Sequence, residues 1–326
     1  MRKTPSVFVV SSGRSGSTLL QSILNASGQI YIPSESDFIT RAYPFYHNQS
    51  VYTDNDYEQL AKLFCVTTVN NWGLSEENIV QCLKQEKPQS FGEIVSVISH
   101  EAHSLEGTQN LIWGIKRPVL IAGLDKICSI VPDAKIIHTC RDGRDVFLSY
   151  NAVHKRSKLK FGPKNVVTNV LYWIDSLRRI EEFESDRVFE IRYEDIVSQP
   201  EKVLPELFNF LELTYDDSIL TNFGNHERNQ KIVSTSFRKD THQKLSSALD
   251  PKNAQKYKHK MSKARIFFFE LIGGPYLKKY NYPLEYNFST SALLWPLQRL
   301  SYFFARLVNN VRYSFRDKNA LAQSRE

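Results

Sequence analysis

Cysteine is scarce in this chain. Cys65, Cys82, Cys128 and Cys140 are the four present, far apart and with no Cys-x-x-Cys pair. That spacing argues against a disulfide framework or a zinc site and fits a reducing, cytoplasmic compartment. Long apolar runs are missing too. Arg2 and Lys3 precede an apolar stretch at 7–10, but a small-residue turn breaks it after four residues. Four residues are too few for a signal peptide or a membrane span. No internal repeat, low-complexity tract or nucleic-acid-binding motif is present, so nucleic acid is not an expected partner. Acidic residues are outnumbered: 42 Lys and Arg against 35 Asp and Glu leave a net charge of +7. An excess of that size favours an anionic ligand or an acidic membrane surface.

What is present is an ordinary globular composition, 326 residues with 41% hydrophobic and 24% charged side chains. That is enough for one large or two modest domains. The chain is organised around residues 7–25. Val7, Phe8, Val9 and Val10 read as a buried strand, and residues 11–16 as a small-residue turn. Leu19, Leu20, Ile23 and Leu24 recur at helical spacing, and Gly28 is a stop signal. Strand, glycine turn and helix together aim free backbone N–H groups at an anion. Gly13 and Gly16 permit positive φ there, Ser17 and Thr18 add hydroxyl donors, and Arg14 adds a permanent charge. A nucleotide P-loop ends in Gly-Lys-Ser/Thr; Gly16-Ser17-Thr18 lacks that lysine, which makes an ATP- and Mg²⁺-dependent kinase a poor reading.

Three more strands are predicted downstream. Residues 111–115 lead to Lys116 at a carboxyl end, where open α/β sheets collect ligands. Residues 135–140 lead directly into Arg141-Asp142-Gly143-Arg144-Asp145 and a helix. There Asp142 and Asp145 resemble a capping box, Ser149 falls in the second turn, and His138 is expected in the sheet. Residues 188–193 form the fourth strand. Ser198 and Glu201 are expected to cap the helix that follows, with Pro205 kinking it. Strands alternating with helices predict a three-layer α/β sandwich around a central parallel sheet.

Residues 41–110 interrupt this order as an aromatic-rich helical insertion placed over the site; His100 and His103 within it read as surface residues, not a metal pair. The expected organisation is one domain over 1–288 with that insertion inside it, and a tail over 289–326. In the tail, Leu293, Leu297, Leu300, Phe304, Leu307 and Val311 recur at helical spacing among Arg299, Arg306, Arg312 and Arg316. Such a helix packs back onto the domain, lies on an anionic membrane through 293–316, or pairs with a second chain.

Taken in order, these motifs resemble the sulfotransferases that use 3′-phosphoadenosine 5′-phosphosulfate (PAPS). Residues 12–20 look like that family's loop for the 5′-phosphosulfate. Residues 140–146 with Ser149 look like its 3′-phosphate motif. Residues 192–196 with Pro200, Phe210 and Leu211 look like its Tyr-Glu-Asp strand and following helix. Phe237-Arg238-Lys239 is similar to the late element that closes on the 3′-phosphate. The loop Arg14 and the Arg-Asp-Gly-Arg form of residues 141–144 look closest to the protein-tyrosine and carbohydrate branch.

The resemblance implies a P-loop-like sulfotransferase fold and an enzyme with PAPS as co-substrate and no metal. It implies Arg14, Ser15, Gly16, Ser17, Thr18 and Leu19 at the 5′-phosphosulfate, and Arg141, Ser149, Arg238 and Lys239 at the 3′-phosphate, with Tyr193 also in the cofactor site. Lys116 would stabilise the leaving oxygen. Glu35, twenty-one residues after Arg14, would be the general base with its pKa raised by burial, and Asp37 the fallback. The acceptor would be a hydroxyl of a carbohydrate, a lipid or a tyrosine. The competing reading is a non-catalytic module that binds the nucleotide and docks at a membrane or partner.

Overall fold

The computed structural model describes residues 5–156, 162–183, 185–223 and 249–286, together with Leu300, Phe303 and Leu307. The predicted Arg238–Lys239 pair lies outside the described residues, as does the rest of the tail. The chain forms two compact units, one of residues 1–140 with 179–251 and one of residues 141–178 with 252–326.

The first unit is built on one parallel sheet of five strands. They are β1 (Val7–Ser11), β2 (Ile30–Tyr31), β3 (Ile112–Lys116), β4 (Lys135–Cys140) and β5 (Val188–Arg192), in the order β2-β3-β1-β4-β5. β1 is central and buried along its whole length, as an unbroken apolar run in a parallel sheet should be. Alternate side chains take opposite faces. Phe8 and Val10 join Trp113, Ile115 and Ile136 in one core; Val7 and Val9 join Ile137 and Ile191 in another.

Each face carries its own layer of helices. α1 (Ser17–Ala26), α9 (Tyr193–Ser198) and α10 (Pro200–Phe210) cover the Val9 face. α2 (Phe38–Tyr46), α3 (Asp54–Thr67), α4 (Glu76–Glu86), α5 (Phe91–Leu105) and α6 (Leu124–Ile130) cover the Phe8 face. The helices of the 41–110 stretch therefore bury Leu60, Phe64, Ile94 and Ile98 in the same core as Phe8 and Trp113. Capping boxes start two of them, Thr53 with Asp56 at α3 and Ser75 with Asn78 at α4.

Two local expectations are corrected here. His103 is a core residue, 1% exposed, its ring 3.9 Å from that of Trp113 and its Nδ1 2.8 Å from Thr108 Oγ1. It sits on the inner face of α5, so helical phase overrides its polarity. Ser198 does not cap α10. Its hydroxyl donates back to Glu194 O at 2.7 Å, closing α9, and α10 starts from Gln199 with Pro200 in its first turn. Proline suits that position because its fixed φ and missing N–H cost nothing there. α10 nonetheless continues through Pro205 to Phe210.

The second unit contains α7 (Gly143–Arg156), α8 (Val166–Glu182) up to Arg178, α11 (Tyr257–Lys260) and α12 (Lys263–Lys279). Its centre is Arg144, fully buried. The guanidinium donates to Asp142 at 2.6 Å, to Glu270 Oε1 at 2.5 Å and to Pro283 O at 2.8 Å, and stacks 3.7 Å above the Tyr257 ring. A buried cation needs this much compensation. Asp142 and Asp145 do not form the expected capping box. Asp142 Oδ1 accepts from Arg144 N at 2.9 Å, while Asp145 Oδ1 turns away to accept from Tyr257 N at 2.8 Å.

Leu300 and Leu307 of the predicted apolar stripe, and Phe303 beside it, are helical and exposed. Among the described residues no helix is long and apolar enough to cross a membrane.

Candidate active site

The turn after β1 is folded on its own hydroxyls. Ser11 Oγ accepts from Gly13 N at 3.1 Å, and the Ser12 and Ser15 hydroxyls meet at 2.7 Å. Gly13, Arg14 and Gly16 all take positive φ, 75°, 57° and 91°. For Arg14 that is a left-handed conformation an L-residue rarely holds without support. α1 opens on Gly16 with no side-chain cap and no acidic residue in its first turn. Its leading N–H groups and the positive end of its dipole therefore have no side-chain counter-group of the usual kind. Beneath the turn lies Tyr193, the first residue of α9, with its ring against Gly16.

Lys116 ends β3 in register with Val9 of β1. Its side chain is 2% exposed. The ammonium donates to Thr18 Oγ1 at 3.2 Å and forms an ion pair with Glu35 Oε1. The other oxygen of Glu35 accepts from Arg117 Nη1. Arg117 also grips Asp37 with both arms of its fork, Nε to Oδ1 at 2.7 Å and Nη2 to Oδ2 at 2.8 Å. Burial works against the Arg117 charge. The Asp37 hydrogen bonds and the charges of Glu35 and Asp37 outweigh it and hold the group above the ordinary arginine range.

Ser36 lies in an isolated antiparallel bridge with Thr68, while Glu35 and Asp37 on either side of it both reach Arg117. Ser36 bridges Thr68, hydroxyl to hydroxyl at 2.7 Å. Val69 N donates to Glu35 O at 2.9 Å, and Asp37 N to Thr67 O at 3.0 Å. The Trp72 indole donates to Ser34 O at 2.8 Å. Behind this contact, Asn70, Asn71, Trp72 and Gly73 are all left-handed, with φ of 57°, 48°, 49° and 81°. Four such residues in a row, one of them tryptophan, persist only where the surroundings enforce them.

The expected site residues thus fall into groups. Thr18, Glu35 and Lys116 meet directly, and Gly16 and Tyr193 pack together. Glu35 is not a lone buried carboxylate, as expected for a raised pKa; its side chain is 21% exposed and faces two cations. Arg141 and Ser149 belong to the second unit. Arg141 donates to Asn253 O at 2.6 Å and lies 3.5 Å from Asp145 Oδ2. Burial, reinforced by the charge of Asp142, raises the Asp145 carboxyl above its usual value, against the pull of Arg141. Arg117 was not among the expected residues; the signal was a second cation beside Lys116 facing two carboxylates spaced by two.

The donor set suits a polyanion: an uncapped helix terminus, a loop arginine, a hydroxyl and a buried ammonium. Among the described residues no cluster of three His, Cys, Asp or Glu side chains is arranged to hold a metal.

A model of the Sulfotransferase family matches residues 5–217, well over half of the sequence. The chain belongs to this family. Two solved structures share its fold. The sulfotransferase domain from the curacin biosynthetic pathway superposes with a TM-score of 0.60 at 19% identity, covering 87% of this chain and 100% of that one. The sulfotransferase domain from the Synechococcus PCC 7002 olefin synthase gives 0.61 at 21% identity, covering 87% and 96%. At these identities the likeness is one of fold. No curated protein sequence matches the chain.

Proposed function

We propose that the chain moves a sulfuryl group from PAPS to an acceptor hydroxyl by in-line displacement. The donor supplies the sulfuryl group and leaves as 3′-phosphoadenosine 5′-phosphate as its sulfur–oxygen bond breaks and the acceptor oxygen–sulfur bond forms. Arg14 and the N–H groups of residues 15–19 hold the 5′-phosphosulfate. Lys116 meets the charge that grows on the leaving oxygen. Glu35 takes the acceptor proton. Its ion pairs favour the carboxylate, the state a base must start in, and a carboxylate oxygen can accept more than one hydrogen bond.

By resemblance, Arg141 and Ser149 take the 3′-phosphate, with Arg238 and Lys239 from outside the described residues. Tyr193 supports the loop. The loop arginine and the Arg-Asp-Gly-Arg motif support a protein-tyrosine or carbohydrate type of chemistry. The exposed Leu300, Phe303 and Leu307 side chains favour instead a lipid-linked or membrane-proximal acceptor.

The observation that carries this reading is the buried Lys116 ammonium standing between Thr18 of the anion loop and Glu35. Calorimetry with 3′-phosphoadenosine 5′-phosphate, paired with labelled-sulfate transfer onto a panel of glycan, lipid and tyrosyl acceptors, tests it. Arg14→Ala should lose nucleotide binding. Glu35→Gln should bind normally and lose turnover by roughly 10²–10⁴-fold. Nucleotide binding with no transfer to any class of acceptor favours a binding module instead, and unchanged turnover in Glu35→Gln removes Glu35 as the base.

A further inference from the structure

We infer that Arg117 is a positioning residue, held by Asp37 so that its third nitrogen fixes the Glu35 carboxylate toward the acceptor. This rests on the reading of Glu35 as the base. Three features of the geometry support it. The Arg117 fork is saturated on one side by Asp37, with paired bonds of 2.7 and 2.8 Å, so the guanidinium plane is set before it meets Glu35. Its Nη1 then contacts one oxygen of Glu35 while Lys116 contacts the other. A carboxylate held by a different cation on each oxygen can neither rotate about its own axis nor swing away from the end of β3. Preorganisation of this kind keeps a base within reach of its proton.

The arrangement also separates the two candidate bases. Both oxygens of Asp37 are engaged by one guanidinium, in the pattern of a structural partner. Glu35 is shared between two cations from neighbouring positions of the chain. Among the described residues the charged groups facing Glu35 include Lys116 and Arg117 from the end of β3, with Asp37 on its own segment; from α1 the neutral Thr18 hydroxyl faces it through Lys116.

The test compares Arg117→Gln, Arg117→Lys, Asp37→Asn and Glu35→Gln by kcat, KM and the pH profile of kcat/KM. Removing a cation from Glu35 makes its proton harder to lose. Arg117→Gln should therefore move the acid limb of the profile upward by about 1 pH unit, the low end of what one nearby opposite charge does. Arg117→Lys keeps the charge but not the fork: its acid limb should stay near wild type while kcat falls at least fivefold. Asp37→Asn should lower kcat with KM for the donor unchanged. In a Glu35→Gln background, Arg117→Lys should have no further effect on kcat.

A wild-type kcat and acid limb in both Arg117 variants overturns the inference, as does a loss that adds in full to that of Glu35→Gln. Should Arg117→Gln fail to fold, Arg117→Lys and Asp37→Asn decide on the same criteria. Unchanged turnover in Glu35→Gln alone overturns the base assignment itself, and the Arg117 role with it. An inactive Glu35→Gln beside a normal Arg117→Lys and Asp37→Asn leaves the base standing and removes only the clamp.

Discussion

The ring of Tyr193 lies against Gly16 so closely that a β-carbon at residue 16 would sit 3.3 Å from its Cγ and nearer still to Cδ2. Gly16 also holds a φ of 91°. Two independent constraints, steric and conformational, thus require glycine at the start of α1. Gly16→Ala is expected to destabilise the fold by about 1–3 kcal/mol from backbone strain alone and to weaken nucleotide binding. Thermal melting with and without 3′-phosphoadenosine 5′-phosphate reads both. A variant with wild-type melting and binding would show that the ring and the loop are loosely coupled.

Lys116→Met keeps length and removes the charge. Glu35 retains Arg117, so the fold should survive. Turnover is expected to fall by about 10²–10³-fold, the usual loss for one donor to a developing oxyanion. Single-turnover kinetics with pre-bound donor measure the chemical step directly; a normal rate there would exclude Lys116 from it.

Arg144 is a stability residue of the second unit. Arg144→Met leaves the buried carboxylates Asp142 and Glu270 without their shared cation, and a broken buried ion pair costs about 3–5 kcal/mol. Urea denaturation should give a correspondingly lower midpoint. Wild-type stability would mean that water reaches both carboxylates.

Asp145 predicts a pH dependence. Its carboxyl is raised in the folded state, first by burial and then by the charge of Asp142. The folded form therefore holds the proton more tightly than the unfolded form. Stability linked to this group is greatest at low pH and is lost as pH rises above the ordinary value of 3.8 and through the folded one. Asp145→Asn, whose Oδ1 still accepts from Tyr257 N, lacks that titration. Its stability relative to wild type should improve with rising pH across the acid range. Parallel urea titrations at stepped pH test the sign; a relative decline would mean that Arg141 outweighs burial.

Much of this molecule is legible in local pattern. The runs at 7–10, 111–115, 135–140 and 188–193 each hold a strand, because each is too short and too β-branched for a helix, although Leu111 stays outside β3 and Tyr193 turns instead into the first residue of α9. Their spatial order is not written in any one of them. Parallel neighbours are selected by crossovers and packing, and nothing in residues 112–116 announces β1 as the partner. Glu35, Lys116 and Thr18 were nameable through motif spacing. Arg117 was not, since a charged residue before Pro118 at a strand end looks like an ordinary solvated side chain until Asp37 is brought opposite. The Ser198 pattern fits a cap, yet the helix opens one residue later, from Gln199 with Pro200 in its first turn. Polarity alone places His103 at the surface, whereas the phase of α5 puts it inside.

The left-handed turn at 70–73 makes the Glu35 segment a discrete device. A residue leaves the left-handed basin by crossing a barrier, not by drifting. If Trp72 reverted to right-handed backbone, its indole would swing off Ser34 O and the carboxylate would lose its anchor in one step. Damage to this turn should accordingly lower the share of time the segment spends in its competent state, and kcat should fall in the same proportion.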